Sequence, residues 1–280
     1  MLLNLFRLLR AKDWIKNIFV IAPLVFSGQF LLLNSVYDIL IVMIFFCLSS
    51  SAVYIFNDIH DFEIDRLHEK KLKIRPIANG SISIPFAYSF FYFFIILMSL
   101  SWFFNEKVTF ILFIYLIMNI FYTLKIKEIP LLDILSIAFG FLLRVFAGSI
   151  ILNVSPSPWI LTTTLCFALF LAGVKRKSEL MLFGAKIRPV LDKYSVSVLD
   201  LVIQTSLTTS IVFYSLFTIT SKPELIVTIP FVIFGFFRFI YIFDKYDLSS
   251  SPVDILLKDF QLMANFILWF ILCVWVNWPI

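Results

Sequence analysis

Apolar residues run along this chain in long blocks, and the polar residues collect in short stretches between them. Nine blocks could cross a bilayer core, at roughly 17–34, 37–56, 84–104, 107–123, 131–152, 157–174, 200–220, 224–243 and 260–278. A crossing helix needs about 20 such residues. The blocks lack the alternation of barrel strands, and an open sheet leaves backbone groups unsatisfied in lipid, so helices are expected. The expected fold is all-α, a polytopic membrane bundle of about nine transmembrane helices. Two polar intervals are long, 57–83 and 175–199, enough to cap a site at the membrane surface. No separate soluble domain is visible, so residues 1–280 read as a single transmembrane domain.

Composition supports this. The chain is 61% apolar with 35 Phe, and only 15% of it is charged, where a soluble domain carries about a quarter. The net charge of +5 would suggest nucleic acid in a soluble protein. Here it reads as membrane topology. Nineteen Lys and Arg fall on one side: Arg7, Arg10, Lys12 and Lys16 at the N-terminus, and the rest in the two long intervals and the stretches after 123 and 243. The other side has Lys107 and Lys222. The excess places the N-terminus in the cytoplasm and the C-terminus outside. No cleavable signal pattern precedes the first block. Trp14, Trp102, Trp159, Trp275 and Trp278 lie near expected helix ends, as an interfacial belt. Cys47, Cys166 and Cys273 sit in apolar blocks without metal-type spacing and read as buried hydrophobes.

The stretch NDIHDFEID, 57–65, ends the second block. On a continuous helix Asp58, Asp61 and Asp65 are spaced i, i+3, i+7 and share one face within about 60° of arc. Three carboxylates on one face repel each other unless a cation joins them. Mg²⁺ takes oxygen ligands and binds through a few carboxylates plus substrate phosphates. Asn57 adds a neutral oxygen. His60 and Glu63 point elsewhere, and His60 and His68 read as solvated. HEKKLKIRPIANG follows, and with Arg66 its Lys70, Lys71, Lys73 and Arg75 suit phosphate groups or an anionic lipid surface. Pro76 holds Arg75 in an extended stretch. Among charged residues only Arg144 is deep in a block. A cation near mid-span costs on the order of 3 kcal/mol, so it faces a cavity or a partner such as Asp133. Gly140 and Gly148 in the same block permit close packing.

NDIHDFEID resembles the NDxxDxxxD motif of the UbiA-type intramembrane prenyltransferase superfamily, and RPIANG its R-P-I-A-x-G segment. FYTLKIKEIPLLDI is similar to its Y-x-x-x-K region. The resemblance implies a helical bundle around a central cavity, with the first Asp motif binding Mg²⁺ and a diphosphate. The usual second motif, D-x-x-x-D, is missing. Its place is held by AGVKRKSELM, with one acid, Glu179, beside Lys175, Arg176 and Lys177. That segment resembles the A-G-K-R-x-x-E-L of decaprenyl-phosphate phosphoribosyltransferases, a branch of the superfamily. RAKDWIKN, GFLLRVFAGS and PVDILLKD are similar to segments of the same branch.

The branch resemblance implies Mg²⁺-dependent transfer of 5-phosphoribosyl from phosphoribosyl diphosphate to a polyprenyl phosphate, releasing diphosphate. It implies Asp58, Asp61 and Asp65 as metal ligands and Glu179 as a metal or ribose-hydroxyl partner. Lys16, Arg75, Lys175 and Arg176 would hold donor phosphates, and Lys125 with Tyr122 the acceptor phosphate. Asn17, Asn57, Arg66 and Arg144 complete the expected substrate-binding set. The site would face the cytoplasm from the plasma (inner) membrane, with the acceptor's tail in the bilayer. A homo-oligomer stays open. So does a prenyltransferase moving a polyprenyl diphosphate onto an aromatic or other acceptor. A transporter with a divalent-cation site is a third reading, though it favours ionisable groups spread near the midplane.

Overall fold

The fold is taken from a computed structural model that describes residues 2–67, 69–184, 188–245, 255–256 and 258–278. His68, Lys186 and residues 252–254 and 257 of PVDILLKD lie outside the described residues. The described chain is helical, in agreement with the expected class. It runs α1 (Leu2–Leu8), a 3-10 helix (Ala11–Ile21), α2 (Ala22–Ser27), α3 (Leu33–His60), α4 (Phe62–Arg66), α5 (Glu69–Ile74), α6 (Ile84–Ser99), α7 (Glu106–Leu124), α8 (Leu132–Ile151), α9 (Pro158–Phe183), α10 (Val196–Ser221), α11 (Ile229–Lys245) and α12 (Phe260–Val276).

Seven helices among the described residues are long and apolar enough to cross a membrane: Leu33–His60, Ile84–Phe103, Glu106–Leu124, Leu132–Ile151, Pro158–Leu182, Val196–Ser221 and Pro223–Lys245. α12 is shorter, at 17 residues. Eight of the nine apolar blocks thus form one dominant helix each. The first block, 17–34, is broken into the end of the 3-10 helix, α2 and a short 3-10 turn, Gln29–Leu31. Pro23 and Gly28, the latter at φ 76°, interrupt it locally. Packing adds a second cause, because a Cβ on Gly148 of α8 would stand 2.2 Å from the Val20 carbonyl oxygen.

The chain forms two compact units. The first holds Met1–Leu24, Leu31–Ser136 and Leu143–Ser155, the second Val25–Phe30, Ile137–Leu142 and Pro156–Ile280. In the first, α3 packs against α6, α7 and the 3-10 helix Ala11–Ile21. Phe46 of α3 meets Tyr115 of α7 edge-on at 5.6 Å between ring centres. In the second, α9 and α10 pair along their length, and Gly173 lets Ile203 approach. Phe170 of α9 is stacked edge-on by Phe236 and Phe239 of α11 at 5.3 and 5.4 Å.

Helix starts carry side-chain caps. Asn105, Ser195 and Asp259 accept from the backbone N–H groups of Val108, Val198 and Leu262. Phe103 and Phe260 are nearly bare. Lipid is the partner such surfaces need, and the chain is an integral membrane protein.

Trp14 is tied to the bundle by its indole N–H, which donates to Ser51 Oγ of α3 at 3.1 Å. One detail departs from the sequence reading. Arg144 is joined by a second cation within a crossing segment. Arg238 of α11 makes a two-point pair with Asp259 at 3.2 and 2.7 Å. Its hydrogen bonds hold the Asp259 carboxyl below the usual carboxylate range.

Candidate active site

The Asp motif closes α3. Asn57 and Asp58 lie in its last turn, and Asp61 caps it at ψ 5°, so the chain kinks there before α4 carries Asp65. The kink divides the carboxylates, where a continuous helix would have kept them on one face. Asp58 and Asp65 are both buried and share one guanidinium. Arg75 Nη1 lies 3.2 Å from Asp58 Oδ1 and also binds Asp65 Oδ2. Lys71 Nζ reaches Asp65 Oδ1 at 2.9 Å, and Arg10 binds Asp58 Oδ1. Asp61 turns to Lys127 Nζ at 2.5 Å and Asn57 Nδ2 at 3.0 Å.

The surrounding chain brings these cations to the acids. Pro76, Ile77 and Ala78 are buried, and Ile82 N–H donates to Pro76 O at 3.0 Å. RPIANG is therefore a turn with a pinned backbone, from which the Arg75 side chain reaches out to the acids. Gly80 closes it at φ 77°. Arg10 sits at the left-handed junction between α1 and the 3-10 helix (φ 49°, ψ 48°). Its guanidinium lies 4.8 Å from the centre of the Tyr54 ring. Lys16 is 5.7 Å from the same ring centre and bridges Asp13 at 2.5 Å and Tyr54 Oη at 3.2 Å. Burial opposes the charge on Arg10, and the fields of Asp58 and Asp13 outweigh it, so its pKa stands above its ordinary value. Lys16 is likewise raised against burial by Tyr54 and Asp13.

Asn17 and Arg144 meet each other. Asn17 Oδ1 accepts from Arg144 Nε at 2.8 Å and from Ser50 Oγ at 3.3 Å. Arg144 Nη2 donates to Tyr115 Oη at 3.1 Å. Ser50 precedes Asp58 by eight residues, which at about 1.5 Å per residue sets this polar island about 12 Å along α3 from the acids. Tyr122 is half-buried in the last turn of α7, and Lys125, its C-cap, is exposed. Arg66 is exposed with its guanidinium 5.0 Å from the Phe62 ring centre. His60 is exposed, as expected, and with Glu63 it lines a cavity of about 460 Å³ shared by Phe56, Ile59, Tyr88 and Leu124.

In the second unit the end of α9 carries the other candidates. Arg176 is buried and donates to Glu179 Oε2 at 2.6 Å. Arg188 Nε stands 3.5 Å from the same oxygen. Lys175 is exposed. Lys177 pairs with Asp200 at 2.7 Å.

The residues fit a divalent cation at Asp58 and Asp65. Asp58 Oδ2 is buried without a hydrogen-bond partner, and the two carboxylates already converge on one cation. Mg²⁺ binds through one or two carboxylates with phosphates filling its remaining places. Among the described residues no group of three His, Cys, Asp or Glu stands at metal-holding distance. The arrangement is a pair plus Asp61. Sequence reasoning did not single out Arg10, Tyr54 or Lys127 as site residues. The available signal was the Arg–x–Lys–Asp opening of RAKDWIKN and the second lysine of KIKE.

A bundle of crossing helices with an Asp motif and basic turn at one end defines an intramembrane transferase. The chain belongs to the UbiA prenyltransferase family, whose model matches residues 20–266. The decaprenyl-phosphate phosphoribosyltransferase of Mycolicibacterium smegmatis is 30% identical over 288 residues, 95% of this chain and 90% of that one. That of Corynebacterium glutamicum is 32% identical over 76% of this chain and 66% of its own length. A UbiA homologue from Archaeoglobus fulgidus, solved with GPP and Mg²⁺, superposes with a TM-score of 0.75 at 20% identity, covering 98% of this chain and 99% of that one. That likeness establishes the fold.

Proposed function

We propose that this transferase moves 5-phosphoribosyl from phosphoribosyl diphosphate to a polyprenyl phosphate. The C1–O bond to diphosphate breaks, and a bond forms from C1 to an oxygen of the acceptor phosphate. The nucleophile is already an anion, so no proton moves. Mg²⁺ held by Asp58 and Asp65 would neutralise charge on the departing diphosphate. Arg10, Lys71 and Arg75 supply charge-assisted donors beside those carboxylates. Lys127 and Asn57 orient Asp61. Tyr122 and Lys125 are the candidates for the acceptor phosphate, and Lys175 and Arg176 for the donor's 5-phosphate, with Glu179 on a ribose hydroxyl.

The observation that carries the choice of donor is the end of α9. There a buried arginine stands among further cations, where a prenyl diphosphate site with two metal clusters would place acids. The relatives named as decaprenyl-phosphate phosphoribosyltransferases support the same reading. Arg10, the turn after Asp65 and Lys127 share one end of the first unit. Those segments are the cation-rich ones, which supports a cytoplasmic site in the plasma membrane.

The test is incubation of purified protein with radiolabelled phosphoribosyl diphosphate, polyprenyl phosphate and Mg²⁺, followed by solvent extraction. Label should enter the lipid phase. Consumption of a prenyl diphosphate instead, with phosphoribosyl diphosphate untouched, would replace this reading with prenyl transfer to another acceptor.

A further inference from the structure

Asp58 and Asp65 carry two negative charges and are met by three cations, Arg10, Lys71 and Arg75. The acids are the fixed partners. Asp58 lies in the last turn of a 28-residue helix, and both carboxylates are buried, while all three cations reach in from more exposed positions. Arg10 is tethered at a helix junction and has a second seat on the Tyr54 ring. Asp58 is only half used: Oδ1 takes both guanidiniums, and buried Oδ2 takes no hydrogen bond. The guanidiniums therefore occupy one carboxylate edge that a divalent cation would use and leave the other bare.

We propose that Arg10 and Arg75 are exchangeable counter-charges at the Asp58–Asp65 pair, which compete with a divalent cation until a diphosphate draws them onto its own oxygens. A metal ion arriving alone meets three positive groups around two carboxylates. A diphosphate arriving alone meets the buried acids. Together they let each guanidinium trade a carboxylate for a phosphate oxygen, and both charges are matched throughout. Metal and diphosphate then bind as a coupled pair, each raising the other's affinity by the same factor. The bare enzyme carries no loosely held metal, and Arg10 becomes a substrate-binding residue of the loaded site.

This inference rests on the metal half of the function proposed above and is independent of the donor. Inorganic pyrophosphate, the common leaving group, therefore serves as the probe. Mn²⁺ binding to the full-length, detergent-purified protein is followed by electron paramagnetic resonance with and without pyrophosphate. Free Mn²⁺ is corrected for its pyrophosphate complex in solution.

Wild-type affinity for Mn²⁺ should rise by about tenfold or more with pyrophosphate, the scale of one charge-assisted hydrogen bond exchanged. Arg10→Gln should bind Mn²⁺ alone more tightly than wild type and lose most of the pyrophosphate enhancement. Arg10→Lys, which keeps the charge, should recover part of it. A purely structural Arg10 would weaken Mn²⁺ binding in both states, and that result overturns the proposal. So does equal wild-type affinity with and without pyrophosphate, a measurement that needs no variant to fold. Absence of Mn²⁺ binding under all conditions removes the metal reading and the exchange with it.

Discussion

Where α3 gives way to α4, Asp58 and Asp65 are the hidden members of their ion pairs, with side chains 2% and 1% exposed, while Arg10, Lys71 and Arg75 stand at 21%, 24% and 16%. At the end of α9 the order is reversed. Arg176 is 1% exposed, and its partner Glu179 is 17% exposed. The buried member is fixed by packing and has lost its water, so its sign decides what the region attracts. A fixed anion with movable cations around it suits a metal and a phosphate exchanged together. A fixed cation with a more exposed acid suits an anion directly. On the proposed reading the two charged ends, one rich in acids and the other in cations, would take ligands of opposite sign.

The strongest way to break this contrast is to neutralise the fixed anion. Asp58→Asn should lower phosphoribosyl transfer by more than about a hundredfold, the scale of losing a group that acts in the transition state. Far-ultraviolet circular dichroism and elution volume should stay those of the folded protein. Asparagine keeps the shape and one acceptor, so packing in the last turn of α3 survives while the charge is gone. Retention of turnover within tenfold would mean that the buried carboxylate is structural.

The matching test in the second unit removes the fixed cation. Arg176→Met keeps most of the side chain's bulk in its buried place and deletes the guanidinium. One charge-assisted hydrogen bond is worth about 1.5–3 kcal/mol, so use of phosphoribosyl diphosphate should weaken roughly 10- to 150-fold. The KM for polyprenyl phosphate should hardly move. A shift in the acceptor KM with donor use intact would reassign the end of α9 to the lipid substrate.

Much of this was legible because lipid imposes simple demands. Crossing blocks of about 20 apolar residues announce themselves, and eight of nine became dominant helices. Acids spaced three and four apart after such a block are equally visible. The broken first block was not, because hydropathy registers Asn17 and Pro23 as minor interruptions. The partners it meets, Ser50 of α3 and Arg144 and Gly148 of α8, add to the local break at Pro23 and Gly28 and lie far off in sequence. The cations on the acids were hidden for a similar reason. Arg10 lies 48 residues from Asp58, and Lys127 lies 66 from Asp61, so only tertiary packing joins them. Lys125 was the more prominent lysine in sequence, while Lys127 reaches the motif. Arg238 vanished within a Phe-rich block, its partner Asp259 being 21 residues on.

The smallest expected effect sharpens the contrast most, because it separates charge from fixation. Arg66 follows Asp65 directly and carries the same charge as Arg75, and the sequence placed it in the same substrate-binding set. Its side chain turns the other way. It is exposed and rests against Phe62 on the same short helix, whereas Arg75 reaches out to two carboxylates from the turn with the pinned backbone. An exposed cation near a site contributes mainly through a field that salt screens within about 8–10 Å. Arg66→Ala should therefore change turnover by less than about twofold, and raising the ionic strength should erase the difference. Arg75→Ala, assayed alongside, should fall with Asp58→Asn. An Arg66→Ala loss approaching that of Arg75→Ala, and persisting in high salt, would show that local charge density at the motif, rather than a fixed pair of acids with exchangeable partners, is what the reaction uses.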